Sequence, residues 1–514
     1  MTFTMTYKHI SVLCLLALLP LASCKDDFLV QTDPNSVATS DYFKTENDVF
    51  VALNGAYQSL RSSNSIGEGS GLFSEERSDN TGRNDNQSNA GEPFQFNDFS
   101  LLPSNTYLKS HWLALYQCIT RTNQVLSGIE TVAFSKPETK AQYSAEAKFI
   151  RALIYFHLVR KWGDVPLVTK PLTTASDVAA STFREKKEKV YEQIVADLTE
   201  VTTSPLPDHQ PLASKGRVSK VAGLALLGQV YLTMATTLDA ASRTANLNAA
   251  KTNLTSAYTK RTFGALKEIP YADVFDVAKK STNPEIIFQI VNKQGDINYS
   301  SSIAANNQAQ GETINSLRNN TGIGGNVTPD LVKEYEETDV RKAFSIKFAN
   351  AATVKDYFIT KYRDASAAAG TNGYGGNDWI LIRYADVMLM LAEVNLYLGD
   401  EATAVSLLDQ VRERAGMPKY EVARTNAAYS SKFPTLKLAI LHERRVELAF
   451  ENHRWFDLLR FFTPAELVTY IRAKSQADFG VAKLSNFGTK DYYYPIPFDE
   501  NKLNPEKMYQ NPGY

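Results

Sequence analysis

The chain has 514 residues, 43% of them hydrophobic, which is ample for a large buried core. Its formal net charge is −1, so it has no bulk attraction for polyanions, and nucleic acid is not an expected partner. The 3 cysteines, Cys14, Cys24 and Cys118, cannot build a disulfide framework or a cysteine metal cluster.

In chain order, Lys8 and His9 precede an apolar run at 10–22. The run is too short to span a bilayer and has the size of a signal-peptide core. It ends Leu21-Ala22-Ser23-Cys24, which resembles a bacterial lipobox, where the cysteine thiol is acylated and becomes the new N-terminus. The expectation is a signal peptide at 1–23, lipid on Cys24, and a mature unit at 24–514. Several acyl chains anchor stably where one does not. Lys25-Asp26-Asp27 follows and resembles the surface-export signal of Bacteroidetes lipoproteins, placing the protein on the outer face of the outer membrane. Cys118 sits in an apolar helical pattern and is expected in the core.

The remaining periodic segments are helical, so the fold class expected is mainly α. Residues 141–162 set Phe149, Leu153 and Phe156 at helical spacing, with Gly163 and Pro166 as stop signals. Residues 218–234 are a second apolar helix and 380–398 a third, ended by Gly399, with Asp400 capping a further helix that runs to Gly416. That last pair fits a tetratricopeptide-like unit, with small residues Ala392 and Ala404 where the helices cross. Ala152/Tyr155 and Gly228/Tyr231 repeat the first-helix signature. Their expected partner helices lie at 190–198 and 249–258. Long stretches rich in Gly, Asn and Ser, at about 62–104, 292–326 and 366–378, are expected as loop insertions that carry function.

The order of short motifs resembles one family over nearly all of the mature length. They begin with Asp41-Tyr42-Phe43, Asn54-Gly55-Ala56-Tyr57, and Trp112 with Tyr116 and Asn123. Arg151-Ala152-Leu153, Trp162-Gly163-Asp164-Val165-Pro166-Leu167 and Gly216-Arg217-Val218 follow. Arg383-Tyr384-Ala385-Asp386-Val387, Val411-Arg412 with Arg414-Ala415-Gly416, and Glu443-Arg444-Arg445 with Glu447 and Glu451 come next. The series ends on Tyr494-Pro495-Ile496-Pro497 and Gln510-Asn511-Pro512-Gly513-Tyr514. This pattern resembles the SusD-like (RagB/SusD) family. The resemblance implies a helical-repeat lipoprotein that caps a TonB-dependent outer-membrane transporter and binds a glycan or, in some members, a peptide. It also implies no catalysis and no cofactor.

Among the loop residues, Phe73 and Phe94 offer aromatic faces for sugar rings, while Arg77, Asp79, Arg83 and Asn84 offer directed polar groups. Tyr299 and Tyr374 sit in the other two loops, and these eight residues are the expected ligand contacts. A competing reading is a secreted glycoside hydrolase. Residues 443–460 are expected as one charged helix with Glu443, Glu447 and Glu451 on one face, and paired carboxylates can hydrolyse glycosides. Arg444, Arg445 and Arg454 lie close in sequence and would hold those carboxylates ionised, so a structural ion-pair network is favoured. His442-Glu443 begins like a zinc-protease helix, but the second histidine would fall at Val446. The glycine-rich stretch 320–325 lacks the Lys-Ser/Thr ending of a phosphate loop. No metal and no cofactor is expected.

Overall fold

The computed structural model describes residues 42–82, 91–318, 325–350, 354–479 and 483–514. Cys24 with the expected signal segment, Arg83, Asn84 and nearly all of the glycine-rich stretch lie outside them.

Helices α1 (Glu46–Leu60), α2 (Thr106–Thr131), α3 (Pro137–Trp162), α4 (Lys187–Thr203), α5 (Lys220–Thr237) and α6 (Arg243–Thr259) form the first part of the scaffold. Helices α7 (Tyr384–Tyr397), α8 (Glu401–Arg414), α9 (Leu436–Glu447), α10 (Arg454–Phe461) and α11 (Pro464–Arg472) form the second. Local chemistry sets the ends. Thr45 and Asp48 close a capping box at the start of α1, and Asp400 accepts the Thr403 N–H at the start of α8. Gly163 ends α3 at φ +72°, a backbone angle that costs a residue with a Cβ.

The pairs foreseen from small residues are present: α3 packs on α4, α5 on α6, and α7 on α8, while α4–α5 and α6–α7 contacts join one pair to the next. Gly228 shows why a small residue is needed. A Cβ there would lie 2.5 Å from Leu254 Cγ on α6. Ala392 and Ala404 are both fully buried. One contiguous apolar cluster runs from Val49 in α1 through Val446 in α9 to Met508 near the C-terminus, and Cys118 belongs to it.

Two expectations about local structure are corrected. Residues 380–383 are not the first turn of α7. They form strand β4 (Trp379–Arg383), antiparallel to β1 (Ile286–Ile290). A short apolar run buried on both sides has no period that separates strand from helix. A second small sheet is the hairpin β2 (Ile346–Asn350) with β3 (Lys355–Ile359). The helix expected over 443–460 is broken. It stops at Glu447 and restarts at Arg454, and between them Phe450 (φ +67°) and Asn452 (φ +64°) adopt left-handed backbone. Such residues cost roughly 1–3 kcal/mol each and persist only where the surroundings hold them. Here the Glu75 carboxylate accepts the N–H of Phe450 (2.8 Å) and of Asn452 (3.1 Å), and Lys361 Nζ donates to the Ala449 carbonyl at 2.8 Å.

The stretch 62–104 is also unlike a surface loop. Most of 65–81 is buried, including Ser65, Arg77, Asp79 and Asn80 at 0% exposure. The segment threads against the charged turn, and its polar side chains satisfy buried groups there.

Candidate functional site

The carboxylates suggested for hydrolysis lie inside an ion-pair network. Arg341 Nη1 donates to Glu443 Oε1 at 2.7 Å and Glu447 Oε2 at 2.9 Å, while Arg383 donates to Glu447 at 2.6 Å and to both Glu451 oxygens at 2.7 Å. Arg414 bridges Glu285 and Glu447, and Lys361 meets Glu451 at 2.5 Å. All three carboxylates are at 3% exposure or less. Burial alone would raise the Glu447 and Glu451 carboxyls. The surrounding guanidinium and ammonium groups outweigh it, holding Glu447 far below the usual range and Glu451 down to about 2. A general acid must stay protonated near neutral pH, so Glu447 and Glu451 cannot supply one.

The three long loops are tied to one another by hydrogen bonds. Glu68 is the clamp: its carboxylate accepts from Ser301 Oγ at 2.5 Å, from the Ser302 N–H at 2.7 Å and from Ser302 Oγ at 3.0 Å. Ser301 and Gly375 exchange backbone bonds at 2.7 and 2.8 Å, tying the second loop to the third. The Gly295 N–H donates to the Tyr374 carbonyl at 2.8 Å. At this junction lies an open cavity of about 350 Å³. Trp379, Tyr362, Phe73 and Phe450, all buried, contribute its aromatic lining. Trp379 Nε1 is anchored on the Ile66 carbonyl at 3.0 Å and Tyr362 Oη on the Phe450 carbonyl at 3.2 Å, which fixes both rings. Polar groups of Ser63, Asn64, Asn306, Asn307 and Asn326 line the rest, with Tyr107 partly exposed at 38%. Asn326 Oδ1 is buried without a partner among the described residues, an acceptor available to a bound hydroxyl. Aromatic faces with a few convergent polar groups suit a small polyhydroxylated ligand.

The expected contacts divide into three groups. Phe73, Arg77 and Asp79 are corrected to framework residues. Phe73 borders the cavity but is 1% exposed, with its ring stacked on His111 at 4.0 Å and 5°. Arg77 is fully buried and paired with Asp491 at 3.1 Å, and Asp79 is fully buried against Arg454 and Arg445. Phe94 and Tyr374 are half-buried and off the cavity lining. Tyr299 is 50% exposed and lies in a neighbouring cleft beside Arg61. Arg83 and Asn84 fall outside the described residues. The cavity residues that motif reading missed are Tyr107, Trp379 and the asparagines. The one signal for them in the chain is the Asn and Ser richness of the loops.

A helical-repeat frame whose loops enclose an aromatic-lined cavity defines a binding scaffold. The family described as "Starch-binding associating with outer membrane" matches residues 27–232, and the "SusD family" matches residues 292–514. SusD-like protein P2 of Formosa agariphila is 27% identical over 99% of this chain and 100% of its own. Among solved structures, a laminarin-binding SusD-like protein superposes with a TM-score of 0.70 at 27% identity, covering 92% of this chain and 100% of that one. Surface glycan-binding protein A of Bacteroides thetaiotaomicron shares the fold, with a TM-score of 0.74 at 18% identity over 92% of this chain and 100% of its own. The chain belongs to the SusD (RagB/SusD) family.

Proposed function

We propose that this protein is a surface-exposed lipoprotein, anchored through Cys24, that captures an oligosaccharide or polysaccharide in the loop cavity and delivers it to a TonB-dependent outer-membrane transporter. The observation that carries the reading is the cavity itself, where the Glu68 clamp joins the first and second loops beside fixed aromatic rings and the unpartnered Asn326 amide oxygen. The laminarin-binding relative supports a glycan over a peptide as cargo. Capture and release need no chemistry, and the buried carboxylates of α9 are committed to ion pairs.

The test is calorimetric binding to a panel of neutral polysaccharides and of peptides, with Tyr107→Ala and Asn306→Ala as cavity variants. Glycan binding that both variants weaken supports the reading. Peptide binding without glycan binding would move the protein to the peptide-binding alternative. Co-purification with a TonB-dependent transporter from the same cells tests delivery.

A further inference from the structure

We infer that a second subsite, selective for an anionic group, adjoins the loop cavity in the cleft between the end of α1, the start of α5 and strand β1. The cleft has a volume of about 370 Å³ and is lined by Arg61, Lys215, Arg217, Lys293, Gln289 and Tyr299, among others. This inference rests on the proposed glycan-binding role and deepens it. The ligand class is a sugar bearing a carboxylate or a sulfate ester, held by the cations while the chain continues into the neighbouring cavity.

Four cationic side chains line one cleft, and two of them, Arg61 and Lys215, have no carboxylate within ion-pair distance among the described residues; the buried Asp378 acts on both from further off and is itself paired with Lys280 at 2.7 Å. Arg61 spends its donors on backbone carbonyls, with Nη1 on Val291 O at 2.5 Å and Nη2 on Tyr299 O at 3.0 Å. Lys215 Nζ has only a long bond to the Asn283 carbonyl at 3.5 Å, and neither residue has an ion-pair partner among the described residues. Burial holds Lys215 below the usual lysine range, against the opposing pull of Asp378. Arg217 is paired with Glu146 at 2.9 Å and Lys293 with Asp296 at 3.2 Å, so these two extend the positive field at lower strength.

An independent observation points to a ligand. Gln289 is 2% exposed, and neither its Oε1 nor its Nε2 has a partner among the described residues. Arg217 Nη2 is likewise buried without a partner. Buried donors are rarely left unmade in a folded protein, and an oxyanion supplies acceptors for such groups. Tyr299, half-exposed beside Arg61 with its ring centroid 5.8 Å from the guanidinium carbon, provides a face for the pyranose ring.

The cleft is next to the main cavity. Asn292 lines the cleft, and its Nδ2 reaches both the Asn377 carbonyl at 2.7 Å and, at 3.5 Å, Glu68 of the loop clamp. The main cavity carries Glu68, Glu75 and Glu76 and no lysine, arginine or histidine on its described lining. The two spaces therefore sort charge oppositely across one wall. A neutral sugar suits the cavity, and an acidic substituent suits the cleft.

The experiment is calorimetry on the mature protein with three oligosaccharides of matched length: a neutral glucan, a uronate oligomer and a sulfated glucan. Inorganic sulfate serves as a fourth probe. The expected result is that at least one anionic oligosaccharide binds more tightly than the neutral one, with affinity falling as salt rises. Its affinity should drop about tenfold in Lys215→Gln and in Arg61→Gln, the loss of one charged hydrogen bond, while neutral binding is unchanged. Lys215→Gln carries the test if Arg61→Gln disturbs the loop it braces. The uronate and sulfate arms distinguish the two sources of negative charge. Equal affinity for neutral and anionic oligomers, or anionic binding that survives both substitutions, overturns the subsite. Failure of every anionic probe while the neutral glucan still binds overturns the subsite alone. Failure of all sugars, neutral included, also removes the glycan reading.

Discussion

Arg454 and Asp79 meet through two parallel bonds, Nε to Oδ1 at 2.6 Å and Nη2 to Oδ2 at 2.8 Å. The pair ties α10 to the first long loop, and Asp79 is a counter-ion shared with Arg445 at 3.5 Å and Lys474 at 3.0 Å. Burial would raise its carboxyl, but these three cations outweigh it and hold it well below the usual range. Removing Asp79 leaves the buried Arg454 without its carboxylate, while Arg445 and Lys474 keep Asp330. Asp79→Ala should cost about 3–5 kcal/mol of stability. Chemical denaturation of the two proteins measures this. A variant as stable as the parent but weakened in sugar binding would return Asp79 to the ligand site.

Phe73 and Tyr107 separate frame from site. Phe73→Ala removes a ring held between His111 and Phe96 and should cost about 3–5 kcal/mol of stability. Tyr107→Ala removes a partly exposed ring and should leave the melting temperature within error while weakening glycan binding by roughly 1 kcal/mol, about fivefold. The expectation fails if the two variants exchange behaviours.

The charged turn after α9 predicts a pH dependence. Glu451 has its carboxyl held at about 2 by Arg383 and Lys361 against burial, compared with about 4.3 in an unfolded chain. A depressed folded value means stability that is complete above about pH 5 and lost as pH falls from about 4.3 through 2. Glu75, whose carboxyl burial pushes up, works in the opposite direction. Comparing wild type with Glu451→Gln isolates the group: the variant starts less stable and should show a shallower acid limb. Identical acid limbs would count against the ion pairs as drawn.

The same carboxylates predict an absence of turnover by this helix. Glu447→Gln should lower stability without altering any sugar-releasing activity in a purified preparation. Loss of a measurable hydrolytic rate in a folded Glu447→Gln protein would reinstate the hydrolase reading.

Cys24 lies outside the described residues, so its role is tested directly. Cys24→Ala should move the protein from the membrane fraction to the soluble fraction in cells lacking the transporter. Retention with the outer membrane in that strain would assign anchoring to something other than the lipid.

Local sequence alone determined the helical class, the pairing of small residues at helix crossings, the stops at Gly163 and Gly399, and the family. Each of these is a matter of nearest neighbours, periodicity or motif order along the chain. The tertiary structure decided the rest. Residues 380–383 became a strand because β1, nearly a hundred positions earlier, lies beside them to accept pairing. The single charged helix broke because Glu75 and Lys361 hold Phe450 and Asn452 in a backbone conformation that no local preference selects. Phe73, Arg77 and Asp79 have the chemistry of ligand contacts, and only the arrival of His111, Asp491 and Arg454 from distant segments turns them into frame. Binding surfaces are what remain after such long-range partners are satisfied, and a linear pattern does not show which polar or aromatic groups will be left over.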